Sequence, residues 1–356
     1  MTDSSSTRWP VAVLGATGAV GQTFIRLLEG HPWFTVAEVA ASERSVGKSY
    51  AEATRWLDGD LPAAVASLRV QPCDPAAVRA PIVFSALDSA AAGEIEPAFA
   101  KAGRTVLSNA KNFRMADDVP LVIPEVNGDH LDLITTQRAK RSWRGAIITN
   151  ANCAATVAAM ALAPLHEVFG LRTVFAATMQ AVSGAGYPGV PSLDALGNVI
   201  PYIADEEPKI ERELPKMLGR FAGDHIDAAP FTVSAHANRV AVEHGHTVVM
   251  SCAFATKPTP EDAIAALKRW RGRPEAQGLP SAPPCPLVVD DAPDHPQARR
   301  DVNRGNGMTV SVGRVRADTV LDLRLVALGH NTIRGAAGGS ILNAEWLVAR
   351  GAIARG

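Results

Sequence analysis

The sequence predicts an α/β protein in two parts, a doubly wound parallel sheet over residues 1–150 and an α+β domain with a mostly antiparallel sheet over residues 151–330. Three observations carry that prediction. A glycine-rich turn, Gly15-Ala-Thr-Gly-Ala-Val-Gly21, lies between a strand-like and a helix-like run; strands and helices alternate through the first half; and strand-like runs dominate beyond Cys153. A chain of 356 residues, 47% hydrophobic and 20% charged, has apolar material for two cores.

Taken in order, Val11-Ala-Val-Leu14 reads as a strand, Gln22 to Leu28 as a helix and Phe34 to Ala41 as a second strand, which makes one βαβ unit. Apolar runs at Ile82 to Leu87, Thr105 to Ser108 and Ala146 to Thr149 alternate with helix-compatible stretches such as Ala91 to Ala102, and together they extend a parallel, Rossmann-type sheet. After a helix beginning near Cys153, strands are expected at Leu171 to Gln180, Phe231 to Ala241, Thr247 to Ala255 and Met308 to Val315. The charged segment Ala204 to Gly219 interrupts them as a helix closed by Gly219. Between Lys257 and Asn306 the density of Pro and Arg predicts an irregular surface excursion with one helix, Pro260 to Trp270. The apolar, helically spaced Ile341 to Arg350 is expected to bring the C-terminal segment, 331–356, back onto the first domain.

Composition narrows the function. With a net charge of −1 and both signs spread along the chain, neither a nucleic-acid surface nor a membrane surface is expected. The N-terminal stretch Met1 to Pro10 lacks the features of a signal peptide, and no apolar run approaches the roughly 18 residues of a membrane span, so a cytoplasmic protein is expected. Cys73, Cys153, Cys252 and Cys285 form no Cys-x-x-Cys pair, which argues against a metal cluster and a disulfide framework. A cysteine that matters here acts as a thiol.

Cys153 is the first candidate. It stands where the apolar strand Ile147-Ile-Thr149 gives way to a long apolar helix, and unpaired N–H groups with the positive end of the macrodipole predict a pKa below the usual value of about 8.5. A buried structural cysteine is the competing reading. The turn Gly15, Ala16, Thr17, Gly18, Ala19 and Val20 departs from G-x-G-x-x-G spacing but can present backbone N–H groups and a helix N-terminus to a pyrophosphate. Where an NAD site has an acidic residue after the second strand, this chain has Ser42, Arg44, Ser45 and Lys48, which suit the 2′-phosphate of NADP; Glu43 keeps NAD open. Ser85 and Leu87, ending another strand, are counted on the cofactor side.

Gln180-Ala-Val-Ser-Gly-Ala-Gly186 ends a strand in small residues, where Gln180 could orient a carbonyl. Arg239 and His246 are seven residues apart around an expected turn at Glu243 to Gly245, so both could face one pocket, Arg239 as a carboxylate fork and His246 as an acid and base; spacing leaves His244 open as well. Glu213 and Lys216, three apart on one helix face, could hold the two ends of a zwitterionic or phosphorylated substrate, or form a solvated ion pair.

Taken together, the turn Gly15 to Gln22, His31-Pro-Trp-Phe34, Ser108 to Met115, Val119 to Asn127, Asn152-Cys153, Thr178 to Gly186, Arg239 to His246 and His330 to Gly339 resemble the aspartate-semialdehyde dehydrogenase family, in its fungal and archaeal-type branch. The resemblance implies an NADP-dependent enzyme that reduces L-aspartyl 4-phosphate to L-aspartate 4-semialdehyde, on the route to lysine, threonine and methionine, as a homodimer or homotetramer. It implies Cys153 as the nucleophile that carries a thioacyl group, His246 as acid/base, Gln180 as orienter and Arg239 as carboxylate clamp. It further implies Arg114, Asn152 and Lys216 on the phosphate, Glu213 on the substrate, Ser183 and Gly184 near the cofactor, and Asn331 or Asn343 on the nicotinamide side; no metal is implied. The family's usual Asn-Pro-Asn-Cys-Ser/Thr-Thr is here Asn150-Ala-Asn-Cys-Ala-Ala155, and its Glu-Thr-x-Lys is Glu213-Leu-Pro-Lys216, where Pro215 is expected to bend the helix. These departures leave an acyl-CoA reductase of the malonyl-CoA type as an alternative, and a non-catalytic NADP-binding relative as a second one.

Overall fold

The structure, a computed structural model, describes residues 8–353. The first residues of the N-terminal stretch and the outer ends of the ranges 1–150 and 331–356 lie outside the described residues. The first sheet contains β1 (Trp9–Leu14), β2 (Phe34–Ala41), β3 (Val70–Pro72), β4 (Ile82–Ser85), β5 (Thr105–Ser108) and β6 (Ala146–Thr149), in the order β3-β2-β1-β4-β5-β6. Every pairing in it is parallel. The helices α1 (Ala19–Leu28), α2 (Ser89–Lys101) and α3 (Leu133–Arg141) lie in the connections from β1 to β2, β4 to β5 and β5 to β6. Strand order reverses between β1 and β4, so a crevice opens beyond their carboxyl ends, next to Gly15 and Leu87.

From β6 the chain passes into α4 (Cys153–Phe169), whose Ala-rich body is buried from Ala154 to Leu165. A seven-stranded sheet receives it. Its strands are β7 (Leu171–Gln180), β8 (Val199–Ile200), β11 (Thr232–Val240), β12 (His246–Phe254), β13 (Leu287–Asp290), β14 (Val310–Ala317) and β15 (Leu323–Gly329), and β9 (Arg220–Phe221) pairs with β10 (Ile226–Asp227) in a separate hairpin. The order is β13-β14-β15-β12-β7-β11-β8, with β7/β11 and β13/β14 parallel and the other pairs antiparallel. Strict alternation along β12 buries one face under α4, α5 (Glu206–Met217) and α6 (Pro260–Arg269). Strand β15, with four apolar residues in Leu323-Arg-Leu-Val-Ala327, completes a sheet whose other long strands were visible in the sequence.

The segment Lys257 to Asn306 is not the irregular surface excursion its composition predicts. Val288 and Val289 of β13 pair in register with Ser311 and Val312, and Ala276 and Leu279 enter the core of the first sheet. Ser281 closes over the buried Glu345, its hydroxyl 2.6 Å from Oε1, while His31 Nε2 approaches the same oxygen at 2.8 Å. Proline density concealed a four-residue strand too short for a periodicity test.

The last helix, α7 (Gly338–Ala349), lies against the first sheet, with Ile341, Leu342, Trp346 and Leu347 in that core. At about 1.5–3 kcal/mol for each fully buried large apolar side chain, this contact is strong enough to fix its position. Just before it, residues Ile333–Ala337 form a π turn, a local widening that reaches the end of α4. Among the described residues no helix is long and apolar enough to cross a membrane.

Candidate active site

At the end of β1 the backbone turns through Gly15 at φ 69°, where a Cβ would lie 2.6 Å from the Ala86 carbonyl oxygen, and at Gly21 a Cβ would lie 2.3 Å from the Gly15 oxygen. Only glycine fits either place. Gly18 caps α1 without a side-chain acceptor, which leaves the first-turn amides of Ala19 and Val20 available to an anion. Ala16 is buried, its carbonyl held by the Tyr50 hydroxyl at 2.8 Å, and Thr17 accepts the Gln22 amide at 3.0 Å. Beyond β2, Ser42, Arg44 and Lys48 are exposed and Ser45 is half-buried; Arg44 makes no side-chain hydrogen bond or ion pair among the described residues.

Across the domain junction lies a cavity of about 510 Å³. Its wall includes Val20, Leu87, Arg114, Asn152, Cys153, Gln180, Ser183, Gly184, Arg239 and Asn331, all residues singled out in the sequence. Cys153 is the first residue of α4, and the cap residue Asn152 accepts the amides of Ala154 and Ala155 through Oδ1, each at 3.0 Å. His246 Nε2 lies 3.1 Å from Cys153 Sγ. The other ring nitrogen, Nδ1, accepts the Ala181 amide at 3.1 Å, so a neutral His246 carries its proton on Nε2, facing the sulfur. Arg239 Nη1 donates to the Ala181 carbonyl at 2.8 Å. One residue, Ala181, thus fixes both side chains.

Arg239 and His246 are not joined as a hairpin. Strands β11 and β12 flank β7 on opposite sides, with Arg239 in register with Gln180, and the linker crosses the end of β7 to bring all three side chains together. Gly184 completes the approach: a Cβ there would stand 2.9 Å from Arg239 Nη1 and 3.1 Å from His246 Cε1. From the other side Gly335 of the π turn packs on Cys153, where a Cβ would meet the cysteine Cβ at 2.6 Å. His244 does not reach the thiol; it lies 3.0 Å from Ser183 Oγ, which also accepts Asn331 Nδ2 at 2.8 Å.

Electrostatics correct one sequence-based expectation. The Cys153 pKa is not depressed by its helix terminus but raised to about 12, because burial, and after it the charge of Glu206, outweigh Arg114, the Ala154 amide and Arg239. Burial pushes His246 down to about 3. Both partners are therefore neutral near pH 7. Cys153 keeps partial exposure to the cavity, so a ligand that displaces water or pairs Glu206 changes the setting of its sulfur.

Besides His246, which stands behind Cys153, and the predicted cofactor residues within 15–19 and 42–48, four predicted residues are placed apart from the cavity. Lys216 is buried, with Nζ donating to the carbonyls of Arg114, Ala116 and Val119 at 2.7, 2.8 and 3.1 Å, so all three of its donors are engaged. Glu213 accepts Arg114 Nη1 at 3.0 Å and the Asn152 amide at 2.5 Å. Ser85 is fully buried, its carbonyl holding the Asn109 amide and side chain. Asn343 reaches the Val122 carbonyl at 3.3 Å and Asn150 at 3.2 Å, inside the domain junction. None of the four lines the cavity. Pro215 lies inside the helix, which continues to Met217.

In their stead the cavity wall holds Glu206, Lys209 and Lys111. Glu206 Oε1 accepts Asn152 Nδ2 at 2.7 Å and Gln180 Nε2 at 3.0 Å, and Oε2 meets Lys209 at 3.2 Å. Burial alone would raise its pKa, but these donors prevail and hold it below the ordinary carboxylate value. Lys111 bridges the mouth to Asp205 at 2.7 Å. The signal that could have found the pair was an internal echo, Glu206-Glu-Pro-Lys209 and Glu213-Leu-Pro-Lys216. The departures around the cysteine have no such reach: Ala151, Ala154, Ala155 and Leu214 are buried and absent from the cavity wall.

The arrangement offers a nucleophilic thiol with a proton-bearing partner, a carboxylate, and several cations in one cleft beside a dinucleotide-type crevice. Comparisons with known proteins match it. A family model described as "Semialdehyde dehydrogenase, NAD binding domain" fits residues 10–134, and "Semialdehyde dehydrogenase, dimerisation domain" fits residues 162–334. An aspartate-semialdehyde dehydrogenase of Archaeoglobus fulgidus is 50% identical over 342 residues, 96% of this chain and 98% of that protein. That of Schizosaccharomyces pombe is 47% identical over 351 residues, again 96% of this chain and 98% of the other. The crystal structure of the Candida albicans enzyme with NADP superimposes with a TM-score of 0.89 at 41% identity, covering 97% of this chain and all of that one.

Proposed function

The chain belongs to the aspartate-semialdehyde dehydrogenase family, and from that premise we propose that it interconverts L-aspartyl 4-phosphate and L-aspartate 4-semialdehyde through a thioacyl group on Cys153. It is an oxidoreductase of the NADP-dependent, phosphorylating type. The observation that carries the reading is the 3.1 Å approach of His246 Nε2 to Cys153 Sγ on a wall that also holds Glu206, Arg114 and Arg239.

In the reductive direction the Cys153 sulfur attacks the acyl carbon, the S–C bond forms as the C–O bond to phosphate breaks, and the thiol proton leaves with phosphate. His246, whose Nε2–H faces the sulfur, donates that proton to the carbonyl oxygen as the thioester is reduced and takes it back as the aldehyde forms, and the released thiolate takes its proton from solvent. The residues suit NADP: glycine-only contacts at Gly15 and Gly21, open amides at the start of α1, and, for a 2′-phosphate, Arg44, unpaired among the described residues. NADPH, when bound, supplies the hydride that reduces the thioester. Breaking the C–S bond then releases the aldehyde and returns the sulfur to Cys153. Arg239 clamps the substrate carboxylate, Gln180 orients the carbonyl, Arg114 receives the phosphate, and Glu206 takes the ammonium group that the sequence had directed to Glu213.

An acyl-CoA donor loses its motive, since the departures that suggested it, at Ala151, Ala154, Ala155 and Leu214, lie in the core. The dimerisation domain supports a homodimer, and we favour that state over a tetramer, in the cytoplasm. Phosphate-dependent NADPH formation from the semialdehyde tests the reading. Wild type should show it, Cys153→Ala should lose it, and malonyl-CoA should not be reduced. Full activity in Cys153→Ala, or turnover without phosphate, would overturn it.

A further inference from the structure

The π turn at Ile333–Ala337 forms part of the cavity wall, and two residues that take no part in the steps above set its position. Its wide pitch is carried by two bonds that each span five residues, from the Gly335 amide to the His330 carbonyl and from the Ala337 amide to the Thr332 carbonyl, both at 3.0 Å. Gly335 packs on the nucleophile so closely that a Cβ would stand 2.6 Å from the Cys153 Cβ and 2.9 Å from its Cα. Asn331, Thr332, Gly335 and Ala336 line the cavity. A shift of this turn therefore moves the seat of the sulfur and the wall together.

Arg334, the neighbour of Gly335, does not line the cavity; it is buried with Glu125 of the short helix Pro124–Asn127. The two form a planar fork, Nη1 to Oε1 and Nη2 to Oε2, each at 2.7 Å. Nη2 also lies 3.1 Å from the sulfur of Met160, which stands on α4 nearly two turns beyond Cys153. At the other end of the turn the Ala336 carbonyl accepts Asn150 Nδ2 at 2.6 Å. Arg334 Nε has no hydrogen-bond partner among the described residues, so the guanidinium is directed by the carboxylate and not by carbonyls of its own turn.

We propose that the buried Arg334–Glu125 pair positions the nucleophile: by fixing the π turn against α4 it sets the depth of Cys153 and the place of the wall from Asn331 to Ala336, and both residues act through that turn. The proposal rests on the reading of Cys153 as the nucleophile. Stability alone accounts poorly for the pair, because a buried ion pair gains little over apolar side chains of the same volume. What apolar packing lacks is direction. Two bonds from one planar group fix both a distance and an angle between segments 209 residues apart in the chain.

The test compares wild type, Arg334→Met and the double variant Arg334→Met/Glu125→Leu by urea midpoint, by the NADPH burst with semialdehyde and NADP+, by the KM values for NADP+ and phosphate, and by iodoacetamide labelling of Cys153 at pH 7. Arg334→Met leaves a buried carboxylate unpaired, so the midpoint should fall. Its burst rate should drop about a hundredfold, the scale for a misplacement of about 1 Å, and labelling should quicken about tenfold as the sulfur loses its cover. In the double variant no buried charge is left alone: the midpoint should return close to the wild-type value while the burst stays slow and labelling fast. The NADP+ KM should rise about tenfold in both variants, and the phosphate KM should stay within about twofold because Arg114 is held by other partners. Wild-type burst and labelling rates in Arg334→Met, or a double variant in which both recover with the midpoint, would overturn the inference. Should Arg334→Met fail to fold, the double variant decides; if neither folds, Glu125→Gln, which keeps the shape and one acceptor, is read in the same way. Absence of a burst in wild type would defeat the functional reading instead, and labelling, which needs no turnover, would still decide whether the pair seats Cys153.

Discussion

Helix α5 carries the tetrad Glu-x-Pro-Lys twice, at Glu206 to Lys209 and at Glu213 to Lys216, seven residues and nearly two turns apart on one face. The outer pair lines the cavity, while the inner pair is sealed behind it. Chemistry and spacing are the same; the partners differ. Glu206 binds the side chains of Asn152, Gln180 and Lys209, groups that can rearrange around a ligand, whereas Glu213 and Lys216 also bind backbone amide and carbonyl groups of the frame. Spacing on a helix sets which face a residue shares; what that face meets decides which partners it holds.

The largest expected effect concerns the thiol beside the outer pair. With its pKa raised to about 12 by burial and then by Glu206, the thiolate fraction of Cys153 grows about tenfold per pH unit below that value. Iodoacetamide labelling of the ligand-free protein should therefore climb about a thousandfold from pH 7 to 10. A plateau beginning near neutrality would mean that the helix terminus, not burial, governs the sulfur.

Glu206→Gln sharpens the contrast, because two readouts should move in opposite directions. Catalytic efficiency on the semialdehyde should fall about a hundredfold, the scale for losing a buried charge partner. Labelling of Cys153 at pH 7 should quicken, since a charge that raises the thiol pKa is gone. Unchanged efficiency would remove Glu206 from the substrate's ammonium group.

For the inner pair the expected effect is on stability. Glu213→Ala leaves Arg114 Nη1 and the Asn152 amide without their acceptor, at about 1–3 kcal/mol in urea unfolding. No change in midpoint would show that water replaces the carboxylate freely.

Much of this architecture was legible in the residues. The strand-to-helix junction announced Cys153 as the first residue of α4, and the first sheet followed from glycine placement and alternating apolar runs. Gln180, Arg239 and His246 were each recognised, but not the way they meet: that β11 and β12 flank β7 is a long-range pairing that no local pattern encodes. Choosing between the two tetrads was also out of reach, because it depends on the Arg114 to Val119 turn, about a hundred residues away in the chain. The thiol pKa failed for a related reason. A helix terminus is visible in sequence, and the amount of protein packed around a sulfur is not.

The central claim is a covalent one, that Cys153 carries the acyl group between hydride transfer and phosphate transfer. Mixing the protein with L-aspartate 4-semialdehyde and NADP+ without phosphate, followed by acid quenching and peptide mass spectrometry, tests it most directly. One NADPH per site should form in a burst, with the acyl group on the peptide that contains Cys153, and phosphate should discharge it. NADPH formation with no adduct, or an adduct on another residue, would contradict the account.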